Sequence, residues 1–214
     1  MTHSISRTTA LAAAIALTTS LARADVVFAD NFDSPAYGHG AVSHNYSERW
    51  VNTDYRTASS GTGGWNFQGD VLYVQDAATK NGAIVLNERG AVNSAAHVLG
   101  GLNAGQTYAL SFLLSGDNRV GQNYGLYAWI DAVLVFAGGA TDGAPGSSAG
   151  TLEQVLFTAP ASTATLKFSE YTFTGSQASP VIDDVSVTVP EPASWALVCL
   201  SLLGLVATRH RKPR

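Results

Sequence analysis

The stretch from Val189 to Arg214 constrains this chain more than any other, because it cannot belong to the same packed body as the residues before it. It reads Val-Pro-Glu-Pro-Ala-Ser, then an apolar run from Trp195 to Ala207, then a basic end from Arg209 to Arg214. Pro190 and Pro192 lack backbone donors and have fixed φ, so neither a helix nor a central strand runs through them. No side chain from Ala193 to Thr208 is charged, and Leu, Val and Ala prevail. As a helix that run reaches roughly 24 Å, against a hydrocarbon core of about 30 Å. Local thinning of the bilayer, or snorkelling by Arg209 and Arg211, would complete this short span. Trp195 lies at one edge, as interfacial aromatics do, and the basic cluster predicts a cytoplasmic C-terminus. A buried C-terminal helix of a soluble domain would instead show a polar face, which this run lacks.

Pro190-Glu191-Pro192, a short apolar helix and an Arg-rich end, in that order, closely resemble the PEP-CTERM sorting signal of bacterial exosortase substrates. The resemblance covers 189–214. It implies that a membrane-embedded exosortase recognises Pro190, Glu191 and Pro192. It also implies that the transmembrane helix at about 193–208 anchors the chain until it is removed, after which the domain passes to the cell surface or extracellular matrix, its mature form having no span. Such tails occur in bacteria that make exopolysaccharide, and this makes exopolysaccharide an implied partner.

The other end points the same way. Arg7 supplies a positive n-region, Ala10 to Leu21 form an apolar h-region, and Ala22-Arg23-Ala24 is an A-x-A site. Residues 1–24 therefore read as a signal peptide, with Asp25 as the new N-terminus; an uncleaved anchor is the alternative. Between the two ends lie about 165 residues, enough for one domain with a substantial core. That segment holds six Lys and Arg against fifteen Asp and Glu, so its net charge is near −9 where the whole chain's is −4. Such a domain repels phosphate backbones, and no nucleic-acid partner is expected. The single cysteine, Cys199, lies in the tail, so no disulfide can staple the domain.

Within 25–188, short apolar runs alternate with Gly, Asn and Asp turns, and no long 3.6-residue period occurs. This is the pattern of an all-β sandwich or barrel with roughly nine or ten strands. Tyr108, Leu110, Phe112 and Leu114 alternate with Ala109, Ser111 and Leu113, and Leu126, Ala128 and Ile130 alternate with Tyr127, Trp129 and Asp131. By contrast, 34–60 is weakly patterned, and 61–69 reads as a glycine-rich loop carrying Trp65 and Phe67. Three motifs are familiar together: Asn31-Phe32-Asp33, the Gly-Leu-x-x-Gly-x-x-Tyr-x-Leu-x-Phe run at 101–112, and Val181-Ile182-Asp183-Asp184-Val185-Ser186-Val187. They resemble galactose-binding-like jelly rolls, including several carbohydrate-binding modules. The resemblance implies an antiparallel jelly-roll β-sandwich whose first and last strands lie close together. Fold alone does not imply a ligand.

Two groups of side chains are candidate sites. Strand alternation sets Asp183 on one face with Val181, Val185 and Val187, pointing inward, and a buried carboxylate needs a partner. In the resembling modules an early and a late acidic residue share a structural Ca²⁺, an ion that takes oxygen ligands at flexible geometry. The motifs match Asp33 and Asp183 to those positions. The alternative for Asp183 is that it only accepts backbone N–H bonds. The second group is aromatic: Tyr127 and Trp129 with Asp131 beside them, and Trp50 and Trp65 in the early loops. Aromatic faces stack on sugar rings and a neighbouring carboxylate accepts hydroxyl hydrogen bonds. The alternative for these rings is that they are core.

No catalytic constellation is visible. Gly146-Ser147-Ser148-Ala149-Gly150 matches a nucleophile elbow by letter but lacks the strand before and helix after it. His39, His44 and His97 lack metal-ligand spacing, and nothing in the sequence brings Glu153 and Glu170 together. The expectation is thus a non-enzymatic, exported β-sandwich, sorted by exosortase, whose domain binds extracellular polysaccharide. The alternative is a structural or adhesive matrix protein without a small ligand.

Overall fold

The computed structural model describes residues 25–41, 53–76, 79–86, 93–116, 122–141, 150–170 and 178–190. The expected signal peptide, Trp50, Ser148, Glu191, Pro192 and the expected tail helix at about 193–208 lie outside the described residues. Among those described, no helix is long and apolar enough to cross a membrane.

The described chain is antiparallel β-structure. In order the strands are β1 (Val26–Asp30), β2 (Gly38–Ala41), β3 (Thr53–Ala58), β4 (Trp65–Gln68), β5 (Val71–Asp76), β6 (Gly82–Leu86), β7 (Ser94–Leu99), β8 (Thr107–Gly116), β9 (Asn123–Ile130), β10 (Val133–Thr141), β11 (Thr151–Thr158), β12 (Ala164–Glu170) and β13 (Pro180–Thr188). They form two sheets. The larger, of eight strands, runs β11-β8-β13-β6-β5-β3-β2, with β1 also paired to β13; the smaller, of five, runs β10-β9-β12-β7-β4. This is the expected jelly-roll sandwich, and the first and last strands do pair, Asp30 opposite Val185. The two alternating runs fall in β8 and β9, and thirteen described strands exceed the nine or ten expected. Strands β2, β3 and β4 occupy the weakly patterned stretch and the glycine-rich segment.

Alternation decides what the two sheets bury between them. Tyr108, Leu110, Phe112 and Leu114 of β8 face Leu126, Ala128 and Ile130 of β9 and Leu166 and Phe168 of β12, all fully or nearly fully buried. Phe112 sets its edge against Phe168 at 5.1 Å and against Phe136 at 5.2 Å, the T-shaped geometry that aromatic quadrupoles favour. Strands β5 and β6 are buried on both faces. Tyr73 and Ile84 enter the central core, whereas Leu72, Val74, Ala83, Val85 and Val181 form a second apolar cluster.

Val181 belongs to that second cluster, while Ile182, Val185 and Val187 belong to the first. Simple alternation through Asp183 therefore fails, and the expected common face of Val181, Asp183, Val185 and Val187 is corrected. The cause is a bulge. Against β8, three steps from Asp183 to Ser186 match two steps from Leu113 to Ser111, and Asp184 takes the left-handed φ of 47°. One extra residue exchanges the faces of everything after it. At the same place β13 changes neighbour, from β6 at Val181 and Ile182 to β1 at Val185–Thr188.

Candidate functional site

The outward face of the five-stranded sheet gathers the aromatic candidates that remain accessible. Because Leu126, Ala128 and Ile130 are core, Tyr127 and Trp129 point away from the sandwich and are half-buried. Trp129 is held in place. Its indole Nε1 donates to Ser169 Oγ at 3.3 Å, the Lys167 ammonium lies 5.5 Å from the ring centre, and Tyr127 meets it edge-on at 5.9 Å. Cross-strand register extends the face in two rows: Trp129, Lys167, Ala96 and Asn66, then Tyr127, Ser169, Ser94 and Gln68. Asn66 and Gln68 are exposed at the far edge. The arrangement offers one fixed aromatic surface followed by hydrogen-bonding groups three strands away, about 14 Å at ordinary strand spacing.

Two of the sequence candidates do not belong to this face. Asp131 is not on the strand but in the two-residue turn between β9 and β10, with a φ of 51°. Its Oδ1 accepts the Thr165 N–H at 2.8 Å, and its own N–H donates to Thr165 O at 2.8 Å, so it ties the hairpin to β12. Trp65 is not in a loop. It begins β4 and is only 1% exposed, its indole donating to Asp30 Oδ2 at 2.9 Å. A ring so enclosed has no face for a sugar. Alternation within Trp65-Asn66-Phe67-Gln68, bracketed by Gly64 and Gly69, is the signal that marks it as a strand.

Asp30 was not singled out from the sequence. Its carboxylate accepts the Phe32 N–H at 2.9 Å, the Trp65 indole N–H and the Tyr37 hydroxyl. Burial, and then the Asp30 carboxylate, push the Tyr37 hydroxyl well above its ordinary pKa. The knot also fixes Phe32, buried with a φ of 52°.

Asp33 and Asp183 do come together. Adjacent residues hold them: Asn81 Nδ2 donates to Asp183 Oδ2 at 3.1 Å, and Gly82 N–H donates to Asp33 Oδ1 at 3.0 Å. Gly82 is required here, since a Cβ would stand 2.1 Å from Phe32 O. Asp183 also accepts the Asp184 N–H at 2.7 Å, as the backbone-acceptor alternative requires. Burial nevertheless pushes its carboxyl up to about 6, with the charges of Asp184 and Asp33 acting in the same direction. Near Gly82 lies the Tyr73 hydroxyl, buried without a hydrogen-bond partner; burial and the Asp33 charge raise it to about 12. Among the described residues no group of three or more His, Cys, Asp and Glu could hold a metal. An open groove of about 520 Å³ runs beside this junction, lined by Ala29, Asp30, Asn31, Asp184, Val185 and Ser186.

The remaining sequence candidates are dispersed. Glu153 lies on β11 and Glu170 on β12, in different sheets, with Glu170 accepting from Asn93 Nδ2 at 3.4 Å. His97 stacks on Phe28 at 4.2 Å beside Trp65, and exposed His39 meets Ser59 Oγ at 2.8 Å.

Comparison with known proteins adds the tail. Residues 188–212 match the family model described as "PEP-CTERM protein-sorting motif". The chain carries a PEP-CTERM sorting motif. That motif implies processing by exosortase, with export and sorting toward the cell surface. No curated protein matches the chain. Among solved structures, the chain is similar to the CBM22-1 and GH10 modules of a Clostridium thermocellum xylanase, at 15% identity and a TM-score of 0.49, covering 78% of this chain and 29% of that one. It is also similar to a CBM22-1 xylan-binding domain from Paenibacillus barcinonensis, at 13% identity and 0.48, covering 79% of this chain and 97% of that one. A family 35 carbohydrate-binding module from Clostridium thermocellum matches at 15% identity and 0.36, over 64% of this chain and 88% of that one. These are likenesses of fold.

Proposed function

We infer that the PEP-CTERM protein is a surface polysaccharide-binding protein, and that its binding face is the outward side of the five-stranded sheet. The observation that carries the reading is Trp129: a large ring on an outward strand face, oriented by Ser169, Tyr127 and Lys167. A pre-positioned aromatic stacks on the apolar face of a sugar ring without an ordering cost at the moment of binding. Lys167, Asn66 and Gln68, on the same face, would bond the hydroxyls of sugars further along the polymer. Before processing, the apolar run at about 193–208 holds the protein in the membrane; afterwards the domain rests at the cell surface or in the matrix. Affinity electrophoresis of the full chain in gels containing soluble polysaccharides tests the reading. Retardation that Trp129→Ala reduces tenfold or more supports it, since truncating a central aromatic anchor costs about 2 kcal/mol or more. No retardation by any polymer, including the producing cell's own, favours a matrix protein without a glycan ligand.

We also propose that Asp33 and Asp183 hold a structural Ca²⁺. The support is a set of oxygens: two carboxylates held by adjacent residues, with the unpartnered Tyr73 hydroxyl near Gly82. A bound cation would neutralise the two carboxylates and tie the end of β1 to the bulge in β13. Chelator should lower the melting temperature and Asp183→Asn should reproduce the effect; no change in either removes the ion from the account.

A further inference from the structure

Among the described residues, one sheet edge is left unguarded. A free edge presents unpaired N–H and C=O groups to any other strand, and proteins blunt such edges by shortness, bulges, glycine and charge. Strand β2 is four residues long, breaks register between His39 and Ala41, and carries Gly40 at a φ of 64°. Strand β4 is also four residues long and exposes Asn66 and Gln68. Strand β10 has a register shift between Leu134 and Phe136 and a Gly138-Gly139 pair, and β1 shifts between Val26 and Phe28. Strand β11 has none of these. All eight of its residues pair with β8 in unbroken register, and no described strand lies on its other side. Leu152 and Leu156 stand 66% and 61% exposed on its outward face, with Gln154 between them.

We propose that β11 pairs antiparallel with β11 of a second copy of this chain, about a two-fold axis at Gln154, joining the two larger sheets edge to edge. The register follows from side-chain direction. In an antiparallel pair, residues directly opposite point to the same face, so outward Leu152, Gln154 and Leu156 can only oppose one another. An axis at Glu153 would set two carboxylates side by side, which is destabilising. An axis at Val155 would set Leu156 against Gln154. With the axis at Gln154, each Leu152 meets the other copy's Leu156, Gln154 meets Gln154, and Glu153, the one charge on the strand, meets Val155. Of these three registers, that one alone pairs the leucines with each other and keeps the two carboxylates from facing each other directly. The occupant is thus a second copy of the same strand, because the strand complements itself. A dimer would present two Trp129 faces, and binding at both raises retention on a polymer without a new contact.

Sedimentation of the full chain in detergent, with a cross-link on the axis, tests this. Opposite residues in an antiparallel pair sit about 4.5–5.5 Å apart at Cα, within disulfide range. In a Cys199→Ser background, Gln154→Cys should oxidise to a covalent dimer, and Thr158→Cys, well off the axis, should not. Leu152→Lys with Leu156→Lys should turn the dimer into monomer while leaving the far-UV circular dichroism of the folded domain unchanged, both positions being exposed. A monomer at every soluble concentration overturns the proposal. So does a dimer that survives the lysine pair and gives no Gln154→Cys cross-link, because that association would arise elsewhere, in the tail above all.

Discussion

Replacing Asp30 by alanine is the sharpest test of how the N-terminal strand is locked. The carboxylate receives three donors: the Phe32 N–H at 2.9 Å, the Trp65 indole N–H at 2.9 Å and the Tyr37 hydroxyl. Trp65 is 1% and Tyr37 4% exposed, so both polar atoms lose their partner in an enclosed place. A hydrogen bond to a charged acceptor contributes about 1.5–3 kcal/mol, and a donor left buried costs about 1–3 kcal/mol. Three such losses do not add, because they share one acceptor. Asp30 also borders the open groove, so water can reach part of the vacated space. The net loss should be about 3–4 kcal/mol, which lowers the melting temperature of a domain this size by roughly 6–16 °C. Phe32, released at a φ of 52°, adds to the loss rather than relieving it, since the left-handed backbone then has no tie. Urea denaturation followed by tryptophan fluorescence measures it. Tyr37→Phe alone should cost about 1 kcal/mol, and the double variant less than the sum of the singles. A loss below about 1 kcal/mol for Asp30→Ala would refute the view that this carboxylate organises the knot.

Three smaller predictions accompany it. Burial lowers the His97 pKa below its ordinary value of 6.5, so folding favours the neutral ring. The stability this contributes is present above about pH 6.5 and is lost as pH falls below it, with a slope approaching about 1.4 kcal/mol per pH unit; His97→Gln should flatten that limb of the stability-against-pH profile. Gly82→Ala sets a Cβ 2.1 Å from the Phe32 carbonyl and should destabilise by about 2 kcal/mol or more in the same urea assay. Leu110→Ala, at a position with no exposure, should cost about 2–5 kcal/mol with an unchanged m-value.

The long alternating strands could be read directly from the residues, since β8 and β9 each bury one face and keep the period of two throughout. Strand β2 could not, because it is four residues long and interrupted by glycine, too short for a period to declare itself, and the brief alternation of β4 is outweighed by the glycines on either side of it. The closing strand was legible in extent but not in facing. A bulge depends on one backbone angle at Asp184, and no pattern of apolar residues records it. Of the candidate sites, Tyr127 and Trp129 follow from alternation once the opposite face is known to be core. The meeting of Asp33 with Asp183 follows from the pairing of the first and last strands, which the resemblance implied. Trp65 was misplaced because its glycine neighbours suggested a loop, and Asp30 was missed because its three donors come from turns and strands far apart in the chain.

The central claim is that the outward face of the five-stranded sheet, and Trp129 within it, meets the polysaccharide. Oxidative footprinting read by mass spectrometry tests that claim most directly, by comparing the protein with and without a polymer that retards it. The account predicts that Trp129 is oxidised in the free protein and protected in the complex, while Trp65 stays unreactive in both. Bound polymer that leaves Trp129 as reactive as before, with protection appearing on another face, would contradict it.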